Sequence, residues 1–315
     1  MCFPRLSQSN GGRYVRGTGG TYVLSQGVAA GWFKPQQRGL ILGILSSGVN
    51  WGIFFAAFLV PFAATLGNGG PDGWRVSWLV GLLVLANAVV VAVLVRERHH
   101  ATSTLEKPGP NQAAARAVWL QPAVIYVGVI YLIYGFFSIY MVFFVSYMKN
   151  ELMLPSSQVR SIWMFVGLLS GATGWLWGLL SDRVGRKRAL IMGVGTACAG
   201  LILVLLSRSL GAMYLSTILW GLAFTAPMSI IPATATDIVD RSQINQALGL
   251  VTMAFGLGQA TGPALAGALI DITGSFMPAF GITLAAFLGT IVCFLLLRGR
   301  GSGAAVSPEQ AGLQH

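Results

Sequence analysis

Gly178-Leu-Leu-Ser-Asp182-Arg-Val-Gly185-Arg-Lys-Arg188 lies between two long apolar runs. One Asp and four Lys/Arg crowd into this stretch of a chain with only nine acidic residues. A charge cluster between apolar runs marks a short loop at a membrane surface. Gly178 closes a run in which Gly167, Gly171, Gly174 and Gly178 recur at the spacing that lets helix backbones approach closely. Asp182 is a short acid suited to capping or facing a helix N-terminus. Gly185 permits a sharp turn. Arg186, Lys187 and Arg188 can reach lipid headgroups or pair with acids. Charge alone is equally compatible with a plain positive loop.

Working outward, the composition is that of a polytopic, all-α integral membrane protein. The 315 residues are 55% hydrophobic and 9% charged, where soluble domains carry about 25% charged residues. Glycine is frequent, at 41 residues, as membrane helices tolerate. The net charge of +11 does not indicate a nucleic-acid partner, because Lys and Arg lie in loops between apolar runs and not on one folded face. Cys2, Cys198 and Cys293 are far apart and read as small apolar residues. His99, His100 and His315 sit in polar segments. No Ser/His/Asp, Cys/His or metal constellation can be assembled, so neither an enzyme nor a cofactor or metal site is expected.

A bilayer crossing needs roughly 20 apolar residues. Eight full spans are expected at 39–64, 76–95, 119–147, 159–180, 189–207, 211–233, 246–270 and 275–297, with a partial ninth at 13–31. The segment 1–12 is polar and lacks the apolar core of a signal peptide. The longest polar interruption, 96–117, contains Pro108-Gly-Pro110 and reads as a linker between two helical bundles. The tail 299–315 is rich in Gly, Ser and Gln and is expected to be disordered. If the 181–188 loop faces the cytoplasm, thirteen of the twenty Lys/Arg fall on that side and four opposite. The positive-inside rule then makes the C-terminus cytoplasmic in a bacterial inner (plasma) membrane.

The order Gly178-x-x-Ser-Asp182-Arg-x-Gly185-Arg-Lys-Arg resembles the loop signature of the major facilitator superfamily. There it sits between helices 2 and 3, with a copy between helices 8 and 9. Four or five spans precede it here and four follow, which matches the second copy. Arg13-x-x-x-Gly17-x-Gly19 is similar to the family's helix-4 motif. Gly43, Gly48 and Gly52 match Gly249, Ala254 and Gly258 at a constant offset of 206, as pseudo-symmetric helices 5 and 11 would. Tyr131 to Phe144, with the Gly-Trp74-Arg-x-x-Trp78 start of helix 6, resembles the YbfB-like bacterial branch. The resemblance implies a major-facilitator-type bundle with 13–95 an incomplete first bundle (helices 4–6) and 118–298 a six-helix bundle (helices 7–12). On this resemblance helices 1–3 and the first loop motif are expected to be missing, as from a truncated reading frame. A natural eight- or nine-helix variant is the alternative.

The resemblance also implies a secondary transporter that moves a small organic solute by alternating access, with a slight lean to organic anions and a possible coupling proton or other ion. The alternative is a non-transporting membrane remnant. Helix 7 carries Tyr131, Tyr134 and Ser138 on one face. Helix 10 carries Thr217, Thr225 and Ser229, with Pro227 and Pro232 as kink points. Asn50 and Gln259 are mid-span amides, and Gln259 lies just before Gly262-Pro263. Tyr131, Tyr134, Ser138, Thr225, Ser229, Gln259 and Asn50 are therefore substrate-cavity candidates. For each, the alternative is a polar side chain bonding a neighbouring helix. No Asp or Glu is mid-span, so coupling is not legible. A conformational latch is expected from Gly178, Asp182, Arg183, Gly185, Arg186 and Arg188, with Asp237 and Asp240 as acid partners. Asp182 would face the start of helix 5 near 38–43.

Overall fold

The computed structural model describes residues 25–27, 29, 33, 35–66, 81, 89, 118, 120–240 and 243–296, with side chains from 56 to 66 left aside except Leu59. The expected spans 13–31 and 76–95, the 96–117 linker, the 299–315 tail, the Arg13 motif and Trp74 lie largely or wholly outside the described residues. Among the described residues nine α-helices follow in order: α1 (Arg38–Leu66), α2 (Pro122–Gly135), α3 (Ser138–Asn150), α4 (Ser156–Val184), α5 (Arg186–Leu206), α6 (Leu210–Ala223), α7 (Thr225–Asp237), α8 (Ile244–Thr273) and α9 (Met277–Leu296). Two pairs, α2–α3 and α6–α7, each form one long path, giving seven candidate membrane spans among the described residues.

The quoted stretch is more helical than a loop of eight residues would be. α4 runs through Asp182 to Val184 and α5 begins at Arg186, so Gly185 alone makes the turn. Its φ of 93° and ψ of 148° fall where only glycine is comfortable. Asp182 is thereby held in the last turn of a rigid helix.

α1 packs antiparallel along α4, and the glycine spacing explains how closely. A Cβ on Gly167 would lie 2.6 Å from the Phe54 nitrogen, and one on Gly171 would lie 3.1 Å from the Trp51 ring. One on Gly174 would strike Ser47, and one on Gly178 would strike the Gly39 carbonyl. Four small positions on α4 thus meet α1 along its length from Phe54 to Gly39, so the chains approach at backbone distance.

The remaining helices share one apolar core. Its centre is aromatic: Tyr140 stacks on Trp220 with ring centroids 3.9 Å apart, and Tyr131 on Phe255 at 4.2 Å. Phe287 from α9 closes the stack 5.4 Å from Trp220. Both two-part spans are interrupted near mid-depth. In the α2–α3 span, Phe136 and Phe137 donate to Ile133 and Tyr134, three residues back, at 3.2 and 2.9 Å. This tighter turn breaks the regular ladder. In the α6–α7 span the break falls at Phe224, three residues before Pro227, whose missing N–H cannot continue the helix.

Candidate functional site

Asp182 reaches across from α4 to the first turn of α1. Its two carboxylate oxygens accept from the Gly39 N–H at 3.1 Å and the Leu40 N–H at 2.9 Å. The first N–H groups of a helix have no internal partner and carry its positive dipole end. A carboxylate from another helix satisfies both requirements, and only the close Gly39–Gly178 approach brings it within range.

Arg186 binds the other side of the carboxylate. Its Nη1 donates to Asp182 Oδ1 and to Ser181 Oγ, both at 2.6 Å, and its Nε donates to Asp237 Oδ2 at 3.0 Å. Asp237 is the last residue of α7, and its Oδ1 lies 3.8 Å from Arg38 Nη1. Arg38 Nη1 also donates to the Thr236 carbonyl at 3.1 Å. Two acids and two arginines from α1, α4, α5 and α7 therefore form one closed chain of contacts. The Asp182 side chain is only 6% exposed and that of Arg38 6%, so these charges persist because each is paired.

Gly178 and Gly185 serve this site through the backbone, one by close approach and one by turn geometry. Arg183 and Arg188 are exposed and enter none of these contacts. Asp240 lies past the end of α7 and forms no ion pair among the described residues. Arg38 and Ser181 complete the cluster and were not singled out from sequence. A cation at the positive end of a helix is unfavourable without an acid nearby. That was the available signal for Arg38.

The seven cavity candidates divide differently. Tyr131, Tyr134 and Ser138 are buried, facing α7, α8 and α9. Tyr134 donates to the Phe224 carbonyl at 3.1 Å, at the break in the α6–α7 span. The single Ser138 hydroxyl proton is shared between the Gly135 carbonyl at 2.9 Å and the Gln259 carbonyl at 3.2 Å. Pro263 lacks the N–H that this carbonyl, four residues earlier, would otherwise accept. Trp177 and Thr173 on α4 reach the Leu222 carbonyl at 2.5 and 3.2 Å, contacts with no sequence signal. Ser229 bonds its own helix at Thr225 and Ala226. Asn50 donates to the Ser46 carbonyl on α1 at 2.8 Å. Thr225 Oγ1 and Asn50 Oδ1 are buried with no hydrogen-bond partner among the described residues. Tyr131, Tyr134, Ser138 and the Gln259 backbone converge where α2–α3 crosses α8, while Asn50 stands apart on α1.

At the opposite end, Glu151 after α3 accepts from the Phe276 N–H at 2.7 Å and Ser275 Oγ at 3.2 Å. Its other oxygen lies 3.8 Å from Arg208 Nη2. One acid thus ties three connections together, another arrangement not foreseen from sequence.

These features define a multi-pass α-helical membrane protein in which small-residue seams and a partly buried charge chain join neighbouring helices. The family model described as "Uncharacterised MFS-type transporter YbfB" matches residues 13–298, and the chain belongs to this family of major facilitator superfamily transporters. It is 25% identical over 276 residues to the hexuronate transporter of Bacillus subtilis, covering 79% of this chain and 62% of the relative. It is 27% identical over 191 residues to human monocarboxylate transporter 10, covering 58% and 35%. The chain thus spans less than two thirds of the length of these curated relatives. The fold is similar to the human organic anion transporter MFSD10, with a TM-score of 0.68 and 18% identity, covering 87% of this chain and 68% of that one. It is also similar to FucP, with a TM-score of 0.65 and 11% identity, covering 87% and 72%.

Proposed function

We propose that this chain carries the latch-bearing part of a secondary transporter that moves a small organic solute by alternating access, with organic anions the favoured class. The observation that supports this most is the Asp182 carboxylate on the Gly39 and Leu40 amides. It is a polar, breakable contact between two helices whose remaining interface is small-residue packing. Such a contact can hold one of two arrangements of α1 against α4 and release it without unfolding either helix. Arg186 and Asp237 extend the latch to α7. In this reading the latch end is cytoplasmic, as the distribution of Lys and Arg favours, and 13–95 and 118–298 are the two bodies that move. The lean toward anions draws on the hexuronate and monocarboxylate relatives. The breaks near Gly135–Phe137 and Phe224, bridged by Tyr134, support a solute site among these hydroxyls near the middle of the two spans.

The test is flux into proteoliposomes containing the purified chain, with labelled glucuronate and lactate as probes and neutral glucose as comparison. Uptake of either anion above protein-free vesicles, reduced in Asp182→Asn, is the expected result. Absence of uptake for all three solutes, in vesicles where the protein is shown to be inserted and helical, would remove the transport reading for this chain.

A further inference from the structure

Four polar atoms meet where α3 faces α6. Tyr140 on α3 stacks on Trp220 of α6, with ring centroids 3.9 Å apart. Ser216 and Thr217 precede Trp220 by four and three residues, so all three share one face of α6. The Tyr140 hydroxyl lies beside the Ser216 and Thr217 hydroxyls. All four residues are buried, none more than 1% exposed. Tyr140 Oη, Ser216 Oγ, Thr217 Oγ1 and Trp220 Nε1 nevertheless have no hydrogen-bond partner among the described residues. By contrast, the buried hydroxyls of Ser170, Ser229, Thr234 and Thr283 each donate to the carbonyl four residues back in their own helix. Ser216 and Thr217 are helical residues with the same option, and they take up neither that bond nor another. Leaving a buried polar atom unbonded is costly, and here four of them are gathered at one contact.

The surroundings set the chemistry of what can satisfy them. α6 carries no charged residue. The walls are aromatic, with Phe144 stacked on Tyr140 at 4.3 Å and Phe287 on Trp220 at 5.4 Å. An ion would be buried unpaired. An apolar ligand would leave the four atoms unbonded. Rings packed this closely exclude a ligand of more than a few atoms. We propose that bound water occupies this contact and bridges the hydroxyls of Tyr140, Ser216 and Thr217 and the Trp220 indole N–H. Water brings both protons and lone pairs, which suits three hydroxyls that can donate or accept and one N–H that can only donate. A buried water typically makes about three such bonds. The position gives the site a role. Tyr140 follows the break at Phe136 and Phe137, and Trp220 precedes the break at Phe224. Bound water therefore joins the two half-spans that lead away from the Asp182 end, and it keeps their polar atoms bonded while the rings shift against each other. The site stands on these residues whether or not the chain transports.

The test is X-ray radiolytic footprinting of the full chain in maltoside micelles, read by mass spectrometry. Radicals made from a buried water oxidise the side chains that hold it, while radicals from bulk solvent do not reach a buried ring. Relative to intrinsic side-chain reactivity, Tyr140 and Trp220 should oxidise several-fold faster than Tyr134. Tyr134 is equally buried, but its hydroxyl is bonded to the Phe224 carbonyl. A Ser216→Ala/Thr217→Val double variant should bring both rates down to that of Tyr134. It should also unfold at a lower temperature, because the bound water loses two partners. Removing two buried hydroxyls that bond nothing would instead raise that temperature. Circular dichroism checks that the double variant is folded, and Ser216→Ala alone serves if it is not. The proposal is overturned by Tyr140 and Trp220 rates no higher than that of Tyr134, by rates that the substitutions leave unchanged, or by a raised unfolding temperature.

Discussion

Replacing Asp182 by Asn tests the proposed latch with the smallest change in shape. The carboxylate accepts from Gly39 N–H, Leu40 N–H and Arg186 Nη1. An amide keeps one acceptor and turns an NH₂ toward groups that are themselves donors. Hydrogen bonds to a charged group contribute about 1.5–3 kcal/mol each. Part of that loss is offset because the buried carboxylate no longer has to be desolvated. A net cost of roughly 2–3 kcal/mol results, which at about 1.4 kcal/mol per tenfold shifts the latched-to-open ratio roughly 30- to 150-fold. The Gly39 and Leu40 amides report on this directly, because Asp182 is their acceptor. Hydrogen-exchange mass spectrometry of peptides covering 38–43 should show faster exchange in Asp182→Asn by about one to two orders of magnitude. Peptides from the start of α9, at the Glu151 end opposite the latch, should be unchanged. Exchange at 38–43 indistinguishable from the parent chain would refute the reasoning, since the amides would then be held by something other than this carboxylate.

Gly185→Ala should destabilise by about 1–3 kcal/mol, because φ 93°, ψ 148° is strained for any L side chain. An added Cβ there meets nothing within 4 Å, so steric relief elsewhere cannot rescue it. Gly195→Ala, also in open space but within α5, should be neutral or stabilising in the same thermal-unfolding assay. Ser138→Ala should cost about 0.6–1 kcal/mol by leaving the Gln259 carbonyl without its donor. That cost should shrink in a Pro263→Ala background, where the backbone can supply the missing N–H. A double-mutant cycle with no coupling would show that the two are unrelated. Glu151→Ala should cost about 1–2 kcal/mol by uncapping the start of α9, and Glu151→Gln less. Equal unfolding temperatures for the two variants would contradict this.

The sequence by itself determined that the chain is helical and membrane-embedded, because apolar run length is a local property that the bilayer reads one segment at a time. It also determined where the sharp turn falls, since Gly185 is dictated by its own backbone. The Gly167–Gly178 spacing announced a close helix contact. What covers it is α1, more than a hundred residues away in sequence, and no local pattern names that partner. The same limit hid Arg38, Ser181 and Glu151 as members of charge clusters, because pairing depends on which helix ends converge. Pro227 and Pro263 marked two places in the sequence where a ladder bond would be missing, but the break at Phe136 and Phe137 has no proline and was not legible. Only the tertiary structure decided that Ser138 would take the carbonyl freed by Pro263, and that the Tyr134 hydroxyl would bond the Phe224 carbonyl at the neighbouring break. Side-chain type fixes what a residue can do. The packing of helices distant in sequence fixes which partner it does it with, since a buried polar group must bond whatever the fold brings within about 3 Å.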